Sequence, residues 1–477
     1  MAGTGPGAMP GMARGRILAG RAGVPSPAAE PAGGGAGLGA RLLDRLQVGY
    51  VMLGIFNYSS ASFDISGTTD VEIGAVNPLS TMVQFALLLG GLLFVARQPA
   101  RCLAAAARGW PLILMLVVIA ASALWSEVPA ATLRRSVSGL ALVLYVLSVA
   151  ASYSLDRFMR LVLLTLVLTA AAGWVLAVLR PSAGFDVGDY SNAVRGLYYQ
   201  KNAQGMALLG AALALSYLVL RRGAWLWTDM LLVGFILVAL VLSRSTTSFL
   251  LTNLTFGVTL ALLWFERGGR WRAAAVVLGV AAALAALPLL TTVSVSDLLE
   301  ILGKDASLTG RTYIWDEIRV AISRRPLLGY GYSAFWVSDT YRVLAIQRTV
   351  NWKVPNAHSG YLDVMLQLGW LGMALLLTMV SVTLVRVLRA LRGPRRVLAL
   401  WMLNFLAVQA TLSNNESTLL LLDLQLALWM LGTMALVEES EAERPPVSLP
   451  SPALRLDPPL PGQPVRGLMA RVGPHPR

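Results

Sequence analysis

A single histidine stands in a polar stretch of an otherwise apolar chain. His358 is one of two histidines, and the other, His475, lies in a proline-rich C-terminal tail. It belongs to the stretch Pro355-Asn356-Ala357-His358-Ser359-Gly360-Tyr361, which opens an apolar run of residues 362–385. At the start of a helix, the positive end of the dipole favours a neutral imidazole, which can accept a proton. His358 is therefore a candidate general base, and the alternative is a simple hydrogen-bonding role at a membrane interface.

Four cations between apolar runs are candidates for binding an anion: Arg195, Lys201, Arg244 and Arg311. Guanidinium groups hold phosphate through paired hydrogen bonds, so a pocket in which these segments meet predicts a phosphate or diphosphate ligand. Ordinary interfacial roles remain open as alternatives. Arg244 would then extend to the lipid headgroups, while Arg195 and Lys201 would anchor the chain at the interface.

The other titratable side chains form no metal or nucleotide motif. Cys102 is the only cysteine, and Asp363 is wrongly spaced for a helical metal-binding pair with His358. Neither a Walker loop nor a Rossmann glycine pattern occurs, so we expect no cofactor and no metal. Asp363 and Asp423 fall inside apparent membrane spans, where a carboxylate must face protein or water. The favoured interpretation is that they bridge helices, and the alternative is that they orient His358.

The composition predicts an all-α polytopic membrane protein. Of the 477 residues, 56% are hydrophobic and only 13% are charged, and the apolar segments repeatedly reach spanning length. The net charge of +14 comes mostly from arginines in short loops, which is the pattern that encodes membrane orientation. No basic stripe with interleaved aromatic residues occurs on a soluble domain, so we expect no nucleic-acid partner.

The hydrophobic segments predict about twelve transmembrane helices and one large outer loop. The predicted spans are residues 46–58, 79–95, 110–125, 137–153, 161–179, 203–220, 226–242, 249–265, 273–290, 361–385, 397–412 and 418–437. Arginine-rich loops alternate with arginine-poor loops, which places both termini in the cytoplasm. The predicted organisation is a disordered cytoplasmic tail, nine spans, the large loop, three spans and a second disordered tail, at residues 1–40, 41–290, 291–359, 360–437 and 438–477.

The large loop carries its own helical pattern. Residues 312–323 place apolar side chains, Trp315 among them, opposite charged ones, which predicts an amphipathic helix lying on the membrane surface and ended by Pro326. A loop of this length with its own helix is typical of a functional segment. Glu416 lies in a short outer corner, residues 414–417, that either binds sugar hydroxyls or ends a helix.

Taken in order, these segments resemble the bacterial O-antigen ligases and the related O-antigen and exopolysaccharide polymerases. The matching pieces are residues 195–202 with Gly205, residues 243–245, residues 309–311 with Trp315, residues 326–331, residues 357–362 and residues 368–372. The resemblance covers residues 110–435. Residues 124–127 with Arg134 and Arg135, and the run 198–202, are more similar to the exopolysaccharide polymerase branch.

The resemblance implies a metal-independent, inverting glycosyltransferase of the bacterial inner membrane with a periplasmic active site. Its donor would be a glycan carried on a polyprenyl diphosphate, such as undecaprenyl diphosphate, and its acceptor a glycan hydroxyl. A flippase and a chain-length regulator are candidate partners. Arg244 and Arg311 match the arginines that hold the diphosphate, and His358 matches the catalytic histidine. The candidates added for binding or orienting the glycan are Tyr361, Asn356, Trp315 and Glu416.

Three activities remain open on the sequence alone. The favoured one is polymerisation of repeat units; the second is ligation of the finished chain to the lipid A-core of lipopolysaccharide. The third is non-enzymatic transport of the lipid-linked glycan, in which the arginines would only bind substrate. Transporters usually have internal repeats and broken helices around a midplane site, and the sequence shows no convincing repeat.

Overall fold

The computed structural model describes residues 38–62, 78–186, 192–267, 311–337, 340–350 and 354–437. Over these ranges the chain is helical, with two isolated β-bridges (Ala61 with Tyr198, and Phe185 with Val194) and no longer strand. The all-α class is confirmed. Residues 1–37 of the predicted N-terminal tail, the predicted C-terminal tail, the predicted span 273–290 and residues 291–310 of the loop that follows it lie outside the described residues.

The described ranges contain fifteen α-helices. They are α1 (Leu38–Tyr58), α2 (Pro78–Arg97), α3 (Pro99–Arg108), α4 (Trp110–Ala121), α5 (Pro129–Ser152), α6 (Leu155–Leu179), α7 (Pro181–Gly184), α8 (Lys201–Arg222), α9 (Trp227–Ser243), α10 (Thr246–Arg267), α11 (Arg311–Arg324), α12 (Tyr341–Val350), α13 (Gly360–Ala390), α14 (Arg396–Leu412) and α15 (Leu424–Ala435).

Length and apolar composition mark several of these helices as membrane spans. Six of them, α2, α5, α6, α8, α10 and α13, are long enough to cross a bilayer, and α3 with α4 would add a seventh if that pair, bent by 84°, is one span. The helices α9, α14 and α15 are apolar but shorter. The chain is thus a multi-pass membrane protein, and the described residues do not reach the predicted count of twelve spans.

The last predicted span starts later than the hydrophobic pattern indicated. Helix α15 begins at Leu424, and Asp423 precedes it as the N-cap, with its carboxylate accepting a hydrogen bond from the Leu426 amide at 3.0 Å. The placement of Asp423 inside a span is therefore wrong. A carboxylate is more stable at a helix start, where it satisfies an exposed amide, than within the apolar body of a helix.

The predicted amphipathic helix is present as α11, but protein covers its apolar face. Ile314, Ile318 and Ala321 are fully buried, in one cluster with Phe335 of the same loop and Leu366 of α13. The prediction that this face lies on the membrane surface is therefore wrong. The following residues of the loop fold back over the apolar stripe, and α13 supplies the rest of the contact.

Helix α13 is interrupted at Gly369, and the turn after α11 lies against the break. Gly369 has φ 58° and ψ −150°. The amides of Trp370 and Leu371 donate to the carbonyls of Pro326 (2.8 Å) and Leu327 (3.1 Å). The Tyr330 and Gly331 amides, in turn, donate to the carbonyls of Leu366 (3.0 Å) and Gln367 (2.9 Å). The two glycine-containing motifs, far apart in sequence, thus form one unit that fixes the turn after α11 to α13.

Candidate active site

His358 is held in a strained backbone conformation immediately before α13. Its φ is 49°, its amide donates to Oδ1 of Asn356 at 3.0 Å, and Ser359 is the N-cap of the helix. A non-glycine residue in the left-handed region costs about 1 kcal/mol or more, which the surrounding contacts must offset. The structure confirms that His358 lies at a helix start, as the sequence predicted.

A carboxylate faces the imidazole of His358. Oε2 of Glu416 lies 3.9 Å from Nδ1 of His358, and the two side chains are only 12% and 11% exposed. Oε1 of Glu416 accepts from Nδ2 of Asn202 at 3.0 Å, which fixes the carboxylate in place. A negative charge beside Nδ1 favours the proton on that nitrogen, leaves Nε2 to accept another, and stabilises the imidazolium that results.

Asp363 ties together the segments that surround His358. Its carboxylate accepts from the Ala357 amide (3.0 Å), from Nε1 of Trp336 (3.1 Å) and from the Ser417 hydroxyl. These partners lie in the stretch before α13, in the segment between α11 and α12, and in the corner that carries Glu416. Asp363 therefore joins α13 to three segments outside the other α-helices rather than to another helix, and it holds the backbone next to His358, which is closer to the alternative interpretation.

Other candidate residues also support this backbone. Nε1 of Trp315 donates to the Ala357 carbonyl at 2.8 Å. The side-chain oxygen of Asn356, besides holding the His358 amide, accepts from the Ser417 hydroxyl at 3.3 Å. The Tyr361 hydroxyl donates to a carbonyl of α14 at 3.2 Å. These contacts give the three side chains an orienting role, and their contact with a glycan stays a prediction.

The segments that carry the predicted cations meet at one end of the helix bundle. The Val194 amide donates to the Leu242 carbonyl at 2.9 Å, so the segment of Arg195 adjoins the end of α9, where Arg244 follows. Gly205 of α8 packs so closely on Ser245 that a Cβ there would clash with its hydroxyl. One turn earlier on α8, Asn202 binds Glu416, the residue that faces His358.

The individual cations differ in how the protein uses them. Arg195 is buried, with Nε bonded to the Phe185 carbonyl (2.9 Å) and Nη1 to the Tyr199 carbonyl (3.3 Å), so it has a structural role whether or not a ligand is bound. Lys201 begins α8, and its amide donates to the Asp186 carboxylate at 2.9 Å. The exposed Arg244 ends α9 with a φ of 51°. The binding of diphosphate by these residues stays a prediction.

Arg311 is the first residue of α11, and its side chain lies outside the described residues. Its position is one helical turn before Trp315, the side chain that binds the Ala357 carbonyl, so both positions share a face of α11. Within the described residues, His, Cys, Asp and Glu side chains form no group of three that could hold a metal ion.

The contact between His358 and Glu416 was not foreseen. The sequence identified Glu416 as a residue that binds or orients the glycan or ends a helix, but it did not pair Glu416 with His358, because 58 positions separate the two side chains and no spacing rule joins them. The available signal was that Glu416 is the one acidic residue in an outer corner of four residues, at the same end of the bundle as His358 in the predicted topology.

Comparison with known proteins supports the resemblance drawn from the motifs. Residues 231–377 match the family described as Wzy_C, O-antigen ligase. The chain is also 28% identical over 272 residues to the exopolysaccharide production protein ExoQ of Rhizobium meliloti (strain 1021). That alignment covers 54% of this chain and 60% of ExoQ, so the chain matches less than two thirds of that relative. The resemblance to O-antigen ligases and exopolysaccharide polymerases is thereby confirmed.

Proposed function

We propose, from this similarity to O-antigen ligases and to an exopolysaccharide production protein, that the chain is a glycosyltransferase that polymerises exopolysaccharide or O-antigen repeat units. Its donor is a glycan on a polyprenyl diphosphate, and its acceptor is a sugar hydroxyl of a second lipid-linked unit. The site faces the periplasm from the bacterial inner membrane, and both termini are cytoplasmic. The observation that carries the proposal is His358, held against Glu416 where the segments of Arg195, Lys201 and Arg244 meet.

In the proposed reaction, the acceptor hydroxyl attacks the anomeric carbon from the side opposite the diphosphate. A new carbon–oxygen bond forms as the bond to the diphosphate oxygen breaks, and the electron pair leaves with the diphosphate. A single displacement of this kind inverts the anomeric configuration. Nε2 of His358 accepts the hydroxyl proton, and Glu416 stabilises the imidazolium.

The departing diphosphate needs countercharge rather than chemical activation. Its bond to the sugar is already labile, so two positive charges placed at the leaving oxygens lower the barrier without a metal or a nucleotide. Arg244 is exposed at the end of α9, and Arg311 begins the helix that binds the backbone beside His358. We assign the diphosphate to these two guanidinium groups, with Arg195 and Lys201 shaping the same end of the bundle.

Ligation to lipid A-core is the second candidate, because the family match over residues 231–377 is described as an O-antigen ligase. A deletion strain separates the two activities. We expect the strain to accumulate single repeat units on the lipid carrier, measured by mass spectrometry of extracted lipids, because a polymerase consumes single units. Full-length chains trapped on the carrier would contradict the polymerase assignment and support a ligase.

We expect Glu416→Gln to lower kcat by about tenfold to a hundredfold and to leave KM for the donor unchanged. The ~10⁴-fold effect of an aspartate hydrogen-bonded to a catalytic histidine is an upper bound, because 3.9 Å exceeds hydrogen-bond length. The acid limb of the pH–rate profile should move to lower pH, because the imidazolium loses its stabilising carboxylate. The measurement is polymer formation by purified protein in liposomes between pH 5 and 8, the range in which histidine titrates.

Glu127→Gln is the matched control for this variant. Glu127 pairs with Arg325 at 3.3 Å in the outer part of the protein, so its loss removes the same charge without touching His358. An identical kcat and pH profile for Glu416→Gln and Glu127→Gln would show that Glu416 has no part in proton transfer.

A further inference from the structure

Two adjacent arginines of α5 are not used by the proposed mechanism. Arg134 and Arg135 are both exposed, and among the described residues neither has a carboxylate oxygen within 4.0 Å. In the proposed orientation they lie at the outer end of the bundle, where short loops are poor in arginine. Membrane topology therefore does not explain them, and their charge is available to an anionic ligand.

Arg135 lies on the side of α5 that faces the protein. It is one turn from both Ala131 and Gly139, which are buried on the same face of the helix. Gly139 packs against Leu422, with side-chain carbons 3.6 Å from the place of a Cβ. Arg135 is thus an exposed side chain between two buried positions of the same helix face. This face packs against the segment that leads from Glu416 to α15.

Tyr332 connects this part of α5 to the turn that follows Glu416. Its hydroxyl donates to the Leu420 carbonyl at 2.8 Å, and its own carbonyl accepts from the Thr132 hydroxyl at 2.9 Å. Burial raises the pKa of the Tyr332 hydroxyl, and the positive charge of Arg135 partly offsets that rise. Arg135 lies three residues after Thr132 on α5, next to a residue that links α5 to the turn just after Glu416, at the same end of the bundle as His358.

Arg134 lies beside a strongly apolar surface. Leu133 and Val137 are 54% and 49% exposed and lie on one face of α5, together with the exposed Leu140. In a membrane span such a face contacts lipid hydrocarbon. A guanidinium at the edge of a lipid-facing surface, near the outer end of the span, is at the depth where lipid phosphates lie.

We propose that Arg134 and Arg135 bind the diphosphate of the polyprenyl carrier that holds the acceptor glycan. This inference rests on the proposed polymerase function, in which donor and acceptor are both lipid-linked. The acceptor's diphosphate stays at the membrane interface while its sugar reaches His358, so a second phosphate site is needed at this end of the bundle, apart from the donor site at Arg244. Paired guanidinium groups beside a lipid-facing surface fit that requirement.

Native mass spectrometry of the full chain, titrated with undecaprenyl diphosphate, tests the inference directly. We expect the wild-type chain to bind two lipids. The R134Q/R135Q variant and the R244Q variant should each bind one lipid with unchanged affinity and the second at least about tenfold more weakly. The charge-matched control R157Q/R160Q removes two exposed arginines from the start of α6 and should bind two lipids. Melting temperatures verify that each variant is folded, and R134K/R135K, which keeps the charges, should recover part of the affinity.

Two results of the binding experiment would overturn the inference. One is that the R134Q/R135Q variant binds two lipids with the same affinities as the wild type. The other is displacement of the second lipid by phosphatidylglycerol at equal concentration, which would show that the arginines are ordinary interfacial anchors. The proposed function is judged separately, by polymer formation. Two bound lipids without polymer would contradict the polymerase alone, whereas polymer formation by R134Q/R135Q with an unchanged KM for the lipid-linked acceptor would contradict the second site alone.

Discussion

Replacing His358 with alanine should abolish polymer lengthening while the protein remains inserted and the lipid-linked donor accumulates. A positioned general base contributes about 10²–10⁴-fold to the rate, and among the described residues no second histidine can replace it. Glu416 is an inadequate substitute, because its two oxygens face Nδ1 of His358 and the Asn202 amide group. The measurement is the length distribution and rate of product from purified protein in liposomes supplied with lipid-linked repeat units.

Because the backbone of His358 is in the left-handed region, a second variant is needed beside His358→Ala. With a φ of 49°, an alanine at this position would be strained, and a loss of activity could then report on misfolding. Asparagine adopts the left-handed region more readily and has no basic nitrogen. His358→Asn should therefore match the wild type in melting temperature and in donor binding, yet form no polymer. Normal product from this variant would end the general-base proposal.

The sequence predicted the position of the proposed catalytic stretch better than it predicted the contacts that support that stretch. Periodicity indicated that His358 precedes a long apolar helix and that residues 312–323 are helical, because both patterns are local. It could not indicate what covers the apolar face of α11. That face packs against Phe335 and Leu366, and such packing depends on how the loop folds back rather than on the helix itself.

The predicted topology placed the segments of Arg195, Lys201 and Arg244 at one end of the bundle. It could not indicate which groups each of these side chains contacts. The hydrogen bonds of Arg195 to two carbonyls depend on the exact path of the chain around residues 185–199. Asp423 shows a similar limit. Hydropathy averages over a window, so it extended the last span across a residue that instead caps the helix. Single charged residues near helix ends are where such averages fail.

Substituting Gly369 with alanine should disrupt the packing of the loop that contains α11 against α13 and lower the melting temperature of the protein. Gly369 occupies a backbone region, φ 58° and ψ −150°, that is essentially restricted to glycine, and a Cβ there would lie 2.5 Å from the Leu327 carbonyl carbon. Strain of this kind costs on the order of 1–3 kcal/mol, and the hydrogen bonds from Trp370 and Leu371 would be weakened as well. Because this loop carries Trp315, which holds the Ala357 carbonyl, activity should fall along with stability.

Alanine variants of two further glycines test whether the effect of Gly369→Ala comes from the contact between the loop and α13. Gly257, in the middle of α10, has open space around it, so Gly257→Ala should leave the melting temperature unchanged or raise it slightly. Gly329 has a φ of 64°, and its Cβ would lie 2.5 Å from the Gln367 carbonyl carbon across the same contact. Gly329→Ala should therefore resemble Gly369→Ala, and the double variant should be less destabilised than the sum of the two, because both break one contact. Additive effects, or a Gly369→Ala protein that melts like Gly257→Ala, would show that the break in α13 does not hold the loop in place.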